Sequence, residues 1–281
     1  MVLPPPALPP SKGLQWSGRT DRGGVRPNNE DAFIGVQFDA REVHHLGANG
    51  EGLTGHLDYA FAVSDGMGGA MAGEYASRIA VQKITTLLPR SYRQSAAGLE
   101  AGFADVLEEL FAQVHAELAH LGQSYDECRG MEATLSLCWF KPGRMYFGHI
   151  GDSRIYYLPA QTETIRQLSH DDSHVGWLLR NGKINEREAR SHPRRSVLQK
   201  ALGGGNQFVA PQVGAVAYEA GDTFLLCTDG LVEGLYDSHL GEFLRSLPSA
   251  PREARAADRL VEESLARSGR DNTTALVIRV V

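Results

Sequence analysis

A chain of 281 residues is long enough for one large domain or two small ones, and a hydrophobic fraction of 42% supports a real core. A formal charge of −6 argues against a nucleic-acid binder, which would carry a basic face. No apolar run approaches the length of a membrane span, and no basic start followed by an apolar core marks an export signal, so the expectation is a soluble cytoplasmic protein. The three cysteines, Cys128, Cys138 and Cys227, are widely spaced and form no CxxC pair, which suits small core residues rather than disulfides or zinc ligands.

Residues 1–13, with Pro4, Pro5, Pro6, Pro9 and Pro10, can be neither helix nor inner strand and read as a disordered or polyproline-like leader. A first strand is expected over 15–20. The loop Arg26-Pro27-Asn28-Asn29-Glu30-Asp31 then packs turn residues around one arginine and an acidic pair, just before a strand over 32–38. A guanidinium offers a planar fork that matches phosphate bidentately, and adjacent acids at a strand start can face a metal or its waters. Taken alone, the same loop fits a surface turn with a salt bridge. Residues 41–58 are polar and glycine-bearing and read as a hairpin loop, with His44 and His45 solvated rather than ligating. The apolar run 59–64 delivers Asp65-Gly66-Met67-Gly68-Gly69. Gly66 has access to backbone angles closed to other residues, and the later glycines let backbone approach a ligand, so this stretch suits a hard-cation site as well as a tight strand-turn-helix.

Apolar residues at helical spacing predict helices over 70–88 and 95–121, and a loop follows over 122–130. Consecutive strands over 134–140, 145–150, 155–158 and 164–168 form a meander, which points to antiparallel sheet. Gly151-Asp152 interrupts it with a tight bend and a second carboxylate. Residues 169–202 change character, with short helices over 173–181, 186–190 and 197–201. Arg180, Lys183, Arg187, Arg190, Arg194, Arg195 and Lys200 make this a basic insertion, which reads as a flap over the sheet edge suited to phosphorylated or acidic protein substrates, or as a solvated helical face. A buried strand over 223–228 ends in Asp229-Gly230, helices cover 237–246 and 251–267, and Asp271-Asn272 precedes a last strand over 274–281.

Each aspartate alone could be turn chemistry. Asp65, Asp152, Asp229 and Asp271 come from distant parts of the chain, however, and each stands where an apolar strand starts or stops. With Glu30 and Asp31 they would form an oxygen-only cluster, which like-charge repulsion forbids unless cations neutralise it. Mg2+ and Mn2+ suit such ligands, and two ions can activate a water and clamp an in-line displacement at phosphorus, with Arg26 on the phosphate oxygens.

The ordered set of motifs resembles the metal-dependent Ser/Thr protein phosphatases of the protein phosphatase 2C type, in their bacterial form, from about Trp16 to the C-terminus. It comprises the Arg26 to Asp31 loop, the Asp65 to Gly69 stretch, Gly151-Asp152-Ser153-Arg154, Ser169-His170-Asp171, Thr228-Asp229-Gly230 and Asp271-Asn272. The resemblance implies an α+β fold: a four-layer αββα sandwich of two antiparallel sheets flanked by helices, over 14–281, with a helical flap insertion at about 169–202. It also implies that Asp65 bridges two metal ions, with the Gly66 carbonyl on one of them. Asp229 and Asp271 would complete one ion's shell, Glu30 would support the other through water, and Asp31 would position the bridging water. Asp152 with Asp229 would hold a third, weaker ion, and Arg26 would bind substrate phosphate. Direct attack of a metal-bridging hydroxide would then release Ser or Thr without a phosphoenzyme. The implied cofactors are Mn2+ or Mg2+. The implied partners are phosphorylated proteins and a cognate Ser/Thr kinase, with no nucleic acid or membrane, and nothing demands more than a monomer.

Two departures stand out. Met67 occupies a place where some members carry a histidine that protonates the leaving oxygen, and Glu132, in Met131-Glu132-Ala133-Thr134, replaces a small residue. They motivate an alternative, a catalytically weak phosphatase-like module that binds phosphoproteins. A third reading is a metal phosphodiesterase acting on nucleotides, which the basic flap suits less well than proteins.

Overall fold

The structure, a computed structural model, describes residues 12–55, 57–68, 71–96, 102–205, 209–247 and 255–281, with the side chains of 91–96 excepted. Most of the leader expected over 1–13, and Gly69, therefore lie outside the described residues. Lys12 is tied down through Nζ, which donates to the Tyr218 carbonyl at 2.9 Å, and Gly13 already belongs to the first strand.

In chain order the elements begin with β1 (Gly13–Asp21), β2 (Asp31–Phe38), β3 (Val43–His45), β4 (Asn49–Leu53) and β5 (Asp58–Met67). Two helices follow, α1 (Ala72–Ala96) and α2 (Phe103–Ser124). Next come β6 (Glu132–Ala133), β7 (Leu135–Lys141), β8 (Arg144–Ile150), β9 (Arg154–Leu158) and β10 (Arg166–Gln167). The insertion carries α3 (His174–Arg180) and α4 (Glu186–Ser191). The chain ends with β11 (Leu202–Gly203), β12 (Gln212–Ala217), β13 (Thr223–Cys227), α5 (Asp229–Gly234), α6 (Asp237–Arg245), α7 (Ala256–Arg267) and β14 (Thr273–Val280).

The strands make two antiparallel sheets. One runs β10-β9-β13-β14-β1-β4; the other runs β11-β6-β5-β7-β8-β12, with β2 and β3 added beside β5. Side-chain alternation explains why they stack. On β5, Tyr59, Phe61 and Val63 face the core between the sheets, while Ala60 and Ala62 face α1 and α2. On β14, Leu276, Ile278 and Val280 enter the same inter-sheet core, while Ala275 and Val277 pack under α5, α6 and α7. Strands apolar on both faces need cover on both sides, so a helical layer lies on each outer surface. The four-layer αββα sandwich expected from the sequence is the fold observed. Cys138 and Cys227 are buried core residues, as expected; Cys128 is half-buried.

Several boundaries differ from the sequence reading. The loop expected over 41–58 contains β3 and β4, and exposed His44 there meets Glu42. The first long helix continues through Pro89, and the second starts at Phe103 rather than at 95. The meander is split: β7 and β8 belong to one sheet, β9 and β10 to the other. The helix expected over 197–201 is irregular chain with an isolated Ser173–Leu198 bridge, and β12 and α5 had no counterpart in the sequence reading. No helix among the described residues is long and apolar enough to cross a membrane.

Candidate metal centre

The carboxylates arrive from both sheets. Asp31 and Asp65 are directly paired across β2 and β5, and the β5 backbone runs on past Asp65 to pair Gly66 with Ala133 and Met67 with Glu132. Asp65 therefore sits inside a strand, not at its end as the sequence suggested. Asp152 lies where the chain passes from one sheet to the other, and Gly151, at φ 109°, makes that bend. A Cβ there would also lie 2.5 Å from Thr134 Cγ2. Asp229 opens α5 directly after β13, and Asp271 lies just before β14.

Oxygens of Asp65, Asp152 and Asp229 fall within 4.8 Å of one another. Arg26, Glu30, Asp65, Gly66, Asp152, Asp229 and Asp271 line a single cavity of about 310 Å3, together with Met67. Asp31, only 8% exposed, is buried next to it. The structure thus gathers Asp65, Asp152 and Asp229 tightly and sets Glu30 and Asp271 on the same cavity. Arg26 is engaged by one of these acids: its Nη2 donates to Asp271 Oδ2 at 2.7 Å, with the arginine side chain 49% exposed.

Gly66 departs from the sequence argument. It lies in extended strand, outside the glycines of left-handed φ, among which Gly68 stands at 130°. What excludes a side chain at Gly66 is crowding, since a Cβ would lie 1.8 Å from the Gly73 carbonyl oxygen. Glu30 is held next to this contact, because the Glu30 carbonyl accepts from Gly66 N and its carboxylate lies over Gly73.

Hydroxyls and amides that the sequence reading gave no role fix the acids. Asp31 Oδ2 accepts from the Thr228 and Thr274 hydroxyls, both at 2.7 Å. Thr134 Oγ1 accepts from the Asp65 amide at 2.9 Å and shares a hydrogen bond with Ser153. Asn272 Oδ1 accepts from Glu30 N at 2.7 Å, while its Nδ2 donates to the carbonyls of Arg22 and Asn28, which locks the Arg26 loop against β14. Buried His149 braces the Gly151 turn: its Nε2 faces the Gly151 carbonyl at 3.0 Å, which can only accept, so Nδ1 accepts from Ser136 at 2.8 Å. The available signal was polar residues placed inside otherwise apolar strands.

Burial drives the Asp65 and Asp229 carboxyls well above the ordinary carboxylate range, and neighbouring carboxylates push them further. Asp31 rises to about 7, mainly through burial, against the pull of its two threonine hydroxyls. Asp152 likewise rises to about 7, by burial and by Asp171, with Arg154 opposing. The buried Oδ1 of Asp31 has no hydrogen-bond partner among the described residues. An all-oxygen donor set, crowded like charges and an orphaned carboxylate oxygen fit hard divalent cations such as Mg2+ or Mn2+.

The insertion between β10 and β11 reaches the cavity through Ser196 and Leu198. Its root is a shielded ion pair, Arg154 Nη2 to Asp171 Oδ2 at 2.7 Å, supported by Arg180 on the Asp171 carbonyl. Arg190 holds Glu186 and the Leu235 carbonyl, and Lys200 faces Asp172. Part of the basic character noted in sequence is therefore used to fasten the insertion.

A family described as Protein phosphatase 2C matches residues 52–266. The Serine/threonine protein phosphatase PstP of Mycobacterium tuberculosis is 34% identical over 272 residues, covering 95% of this chain and 45% of that protein. The chain thus spans less than half the length of that relative. The Serine/threonine phosphatase stp of Listeria innocua is 31% identical over 261 residues, covering 92% of this chain and 93% of that protein. Among solved structures, the catalytic domain of PstP in complex with two manganese ions superposes with a TM-score of 0.73 at 30% identity, over 96% of this chain and 99% of that one. The S. agalactiae serine/threonine phosphatase gives a TM-score of 0.76 at 25% identity, over 95% and 100%.

Proposed function

The chain belongs to the protein phosphatase 2C family, and from that premise we propose that it hydrolyses phosphoserine and phosphothreonine in proteins, with two divalent cations and in opposition to a Ser/Thr kinase. One observation carries the reading: the Asp65, Asp152 and Asp229 oxygens lie within 4.8 Å of one another in a cavity that also takes in Arg26. Residues 14–281 would form one catalytic domain, with 169–202 as its flap.

Asp65, the Gly66 carbonyl, Asp229 and Asp271 would hold the cations, with Glu30 in support and Asp152 available to a further, weaker ion. Bound Mn2+ or Mg2+ supplies charge neutralisation and an acidified water as nucleophile. The remaining work belongs to the chain. Asp31 keeps Oδ2 occupied by two threonine hydroxyls, while Oδ1, without a partner among the described residues, can accept a proton or orient a water. Arg26, on a loop anchored by Asn272, clamps the phosphate oxygens once Asp271 is drawn to a cation. Met67 lines the cavity and carries no proton, so the leaving alkoxide takes its proton from water or another acid.

The test is phosphate release from a phosphothreonine peptide, first with chelator and then with Mn2+ or Mg2+. Release that requires the metal supports the reading. Tight phosphopeptide binding without release under both ions would transfer the assignment to a binding module.

A further inference from the structure

A second, larger cavity of about 680 Å3 lies between the flap and the body of the protein. It shares Asp152, Asp229 and Ser196 with the carboxylate cavity, so the two are contiguous. Its acids outside that shared wall are matched: Asp171 by Arg154 and Glu186 by Arg190 at 3.0 Å, with Glu233 facing Arg195 at 3.5 Å. Arg267 is likewise held, by Glu263. Two cations on the wall are not. Arg187, from α4 of the flap, and Arg270, from the loop before β14, make no side-chain ion pair or hydrogen bond among the described residues, and both are exposed.

These two guanidiniums come from the flap and from the loop before β14, more than eighty residues apart in sequence, and bound cations would offset the charge of the shared acids Asp152 and Asp229. Resting on the proposed phosphatase reading, we propose that this cavity is a second anion subsite, in which Arg187 and Arg270 receive an acidic group on the same polypeptide as the target phosphoresidue. The shared chemistry is a phosphate or carboxylate side chain. It would stand a short distance along the chain from the target, since the two cavities share Asp152, Asp229 and Ser196. The substrate class selected is thus a multiply phosphorylated or acidic segment. A guanidinium fork pairs with either anion, more tightly with a phosphate.

The experiment uses phosphonate peptides that cannot be hydrolysed, with Mn2+ present, and reads affinity by fluorescence anisotropy. Three peptides share one target phosphonate and differ only in the flank: neutral residues, glutamates, or a second phosphonate. Wild-type protein should prefer the anionic flanks about tenfold, the scale of one charge-assisted contact. The preference ratio should fall towards one in the Arg187→Glu, Arg270→Glu double variant and persist in Arg41→Glu, a surface change off this cavity. A larger gain from the second phosphonate than from glutamates identifies phosphate as the natural occupant; equal gains identify general anion selection. No preference in the wild type, or a ratio unchanged in the double variant, overturns the subsite. Metal-dependent hydrolysis of p-nitrophenyl phosphate, measured in parallel, tests the phosphatase reading on its own. Its absence would sink that reading while the affinity ratio still decides the subsite.

Discussion

Arg26 Nη2 lies 2.7 Å from Asp271 Oδ2, so the group suited to hold phosphate is paired with a carboxylate suited to hold a cation. Cation binding at Asp271 would release Arg26, which couples the two ligands. Arg26→Ala should therefore raise KM for a phosphopeptide by about tenfold or more, the cost of losing a bidentate charged contact. Mn2+ affinity in that variant should stay equal or tighten, because the competing guanidinium is gone. Calorimetric Mn2+ titration checks this, and markedly weaker Mn2+ binding would refute the coupling.

Asp65, Asp152 and Asp229 repel one another when no cation is present. Asp229→Asn should accordingly raise the thermal midpoint of the chelated protein while reducing metal-dependent turnover by at least about a thousandfold, as expected for a ligand acting in the transition state. A lowered midpoint in chelator would show that Asp229 serves folding rather than a cation.

Asn272 makes three hydrogen bonds that pin the Arg22 to Glu30 segment. Asn272→Ala leaves an amide and two carbonyls to find new partners, at a cost of about 2 kcal/mol. Urea unfolding reads the stability loss, and KM should rise with it as the Arg26 loop loosens. A stability change below about 0.5 kcal/mol, within the range of ordinary surface substitutions, would remove Asn272 from this role.

Burial holds the His149 imidazole neutral by lowering its pKa, against the raising influence of Asp171 and Asp172. The unfolded chain then binds the proton that the folded chain resists. This contribution to stability is present above about pH 6.5, the unfolded value, and is lost as pH falls through the depressed folded value. His149→Gln should flatten that acid-side slope in a pH series of denaturation midpoints. An identical slope in both proteins would assign the acid sensitivity to other groups.

Gly66 and Gly182 separate two reasons for glycine. At Gly66 the obstacle is the Gly73 carbonyl, 1.8 Å from a built Cβ. Gly182 has open space around it but a φ of 62°. Gly182→Ala should cost only about 1 kcal/mol, whereas Gly66→Ala should displace Glu30 and abolish activity or folding. Full activity and an unchanged melting point in Gly66→Ala would dismiss the close approach.

Many of the strands were legible because strand alternation is a local property, while the αββα layering was expected from the resemblance of the ordered motifs to a known family. Leu135 and Leu137, two residues apart in the strand expected over 134–140, share one face of β7, and both lie in the core under α1 and α2. The acids were legible too, since Asp65, Asp152, Asp229 and Asp271 break apolar runs in a recognisable order. What sequence could not supply was partnership at a distance. The split of β8 and β9 between sheets depends on which surfaces bury together, not on either strand's residues. The Thr228 and Thr274 hydroxyls meet Asp31 across roughly two hundred residues of chain. Gly66 owes its identity to a carbonyl brought from α1. Sequence by itself determined most of the element types and the acids that interrupt apolar runs, because these follow from periodicity and residue chemistry; the layer pattern came from the resemblance of the ordered motifs to a known family. Tertiary structure alone decided which acids meet and, among the described residues, which oxygen and which arginines are left without a partner, because those depend on packing between segments that no local pattern records.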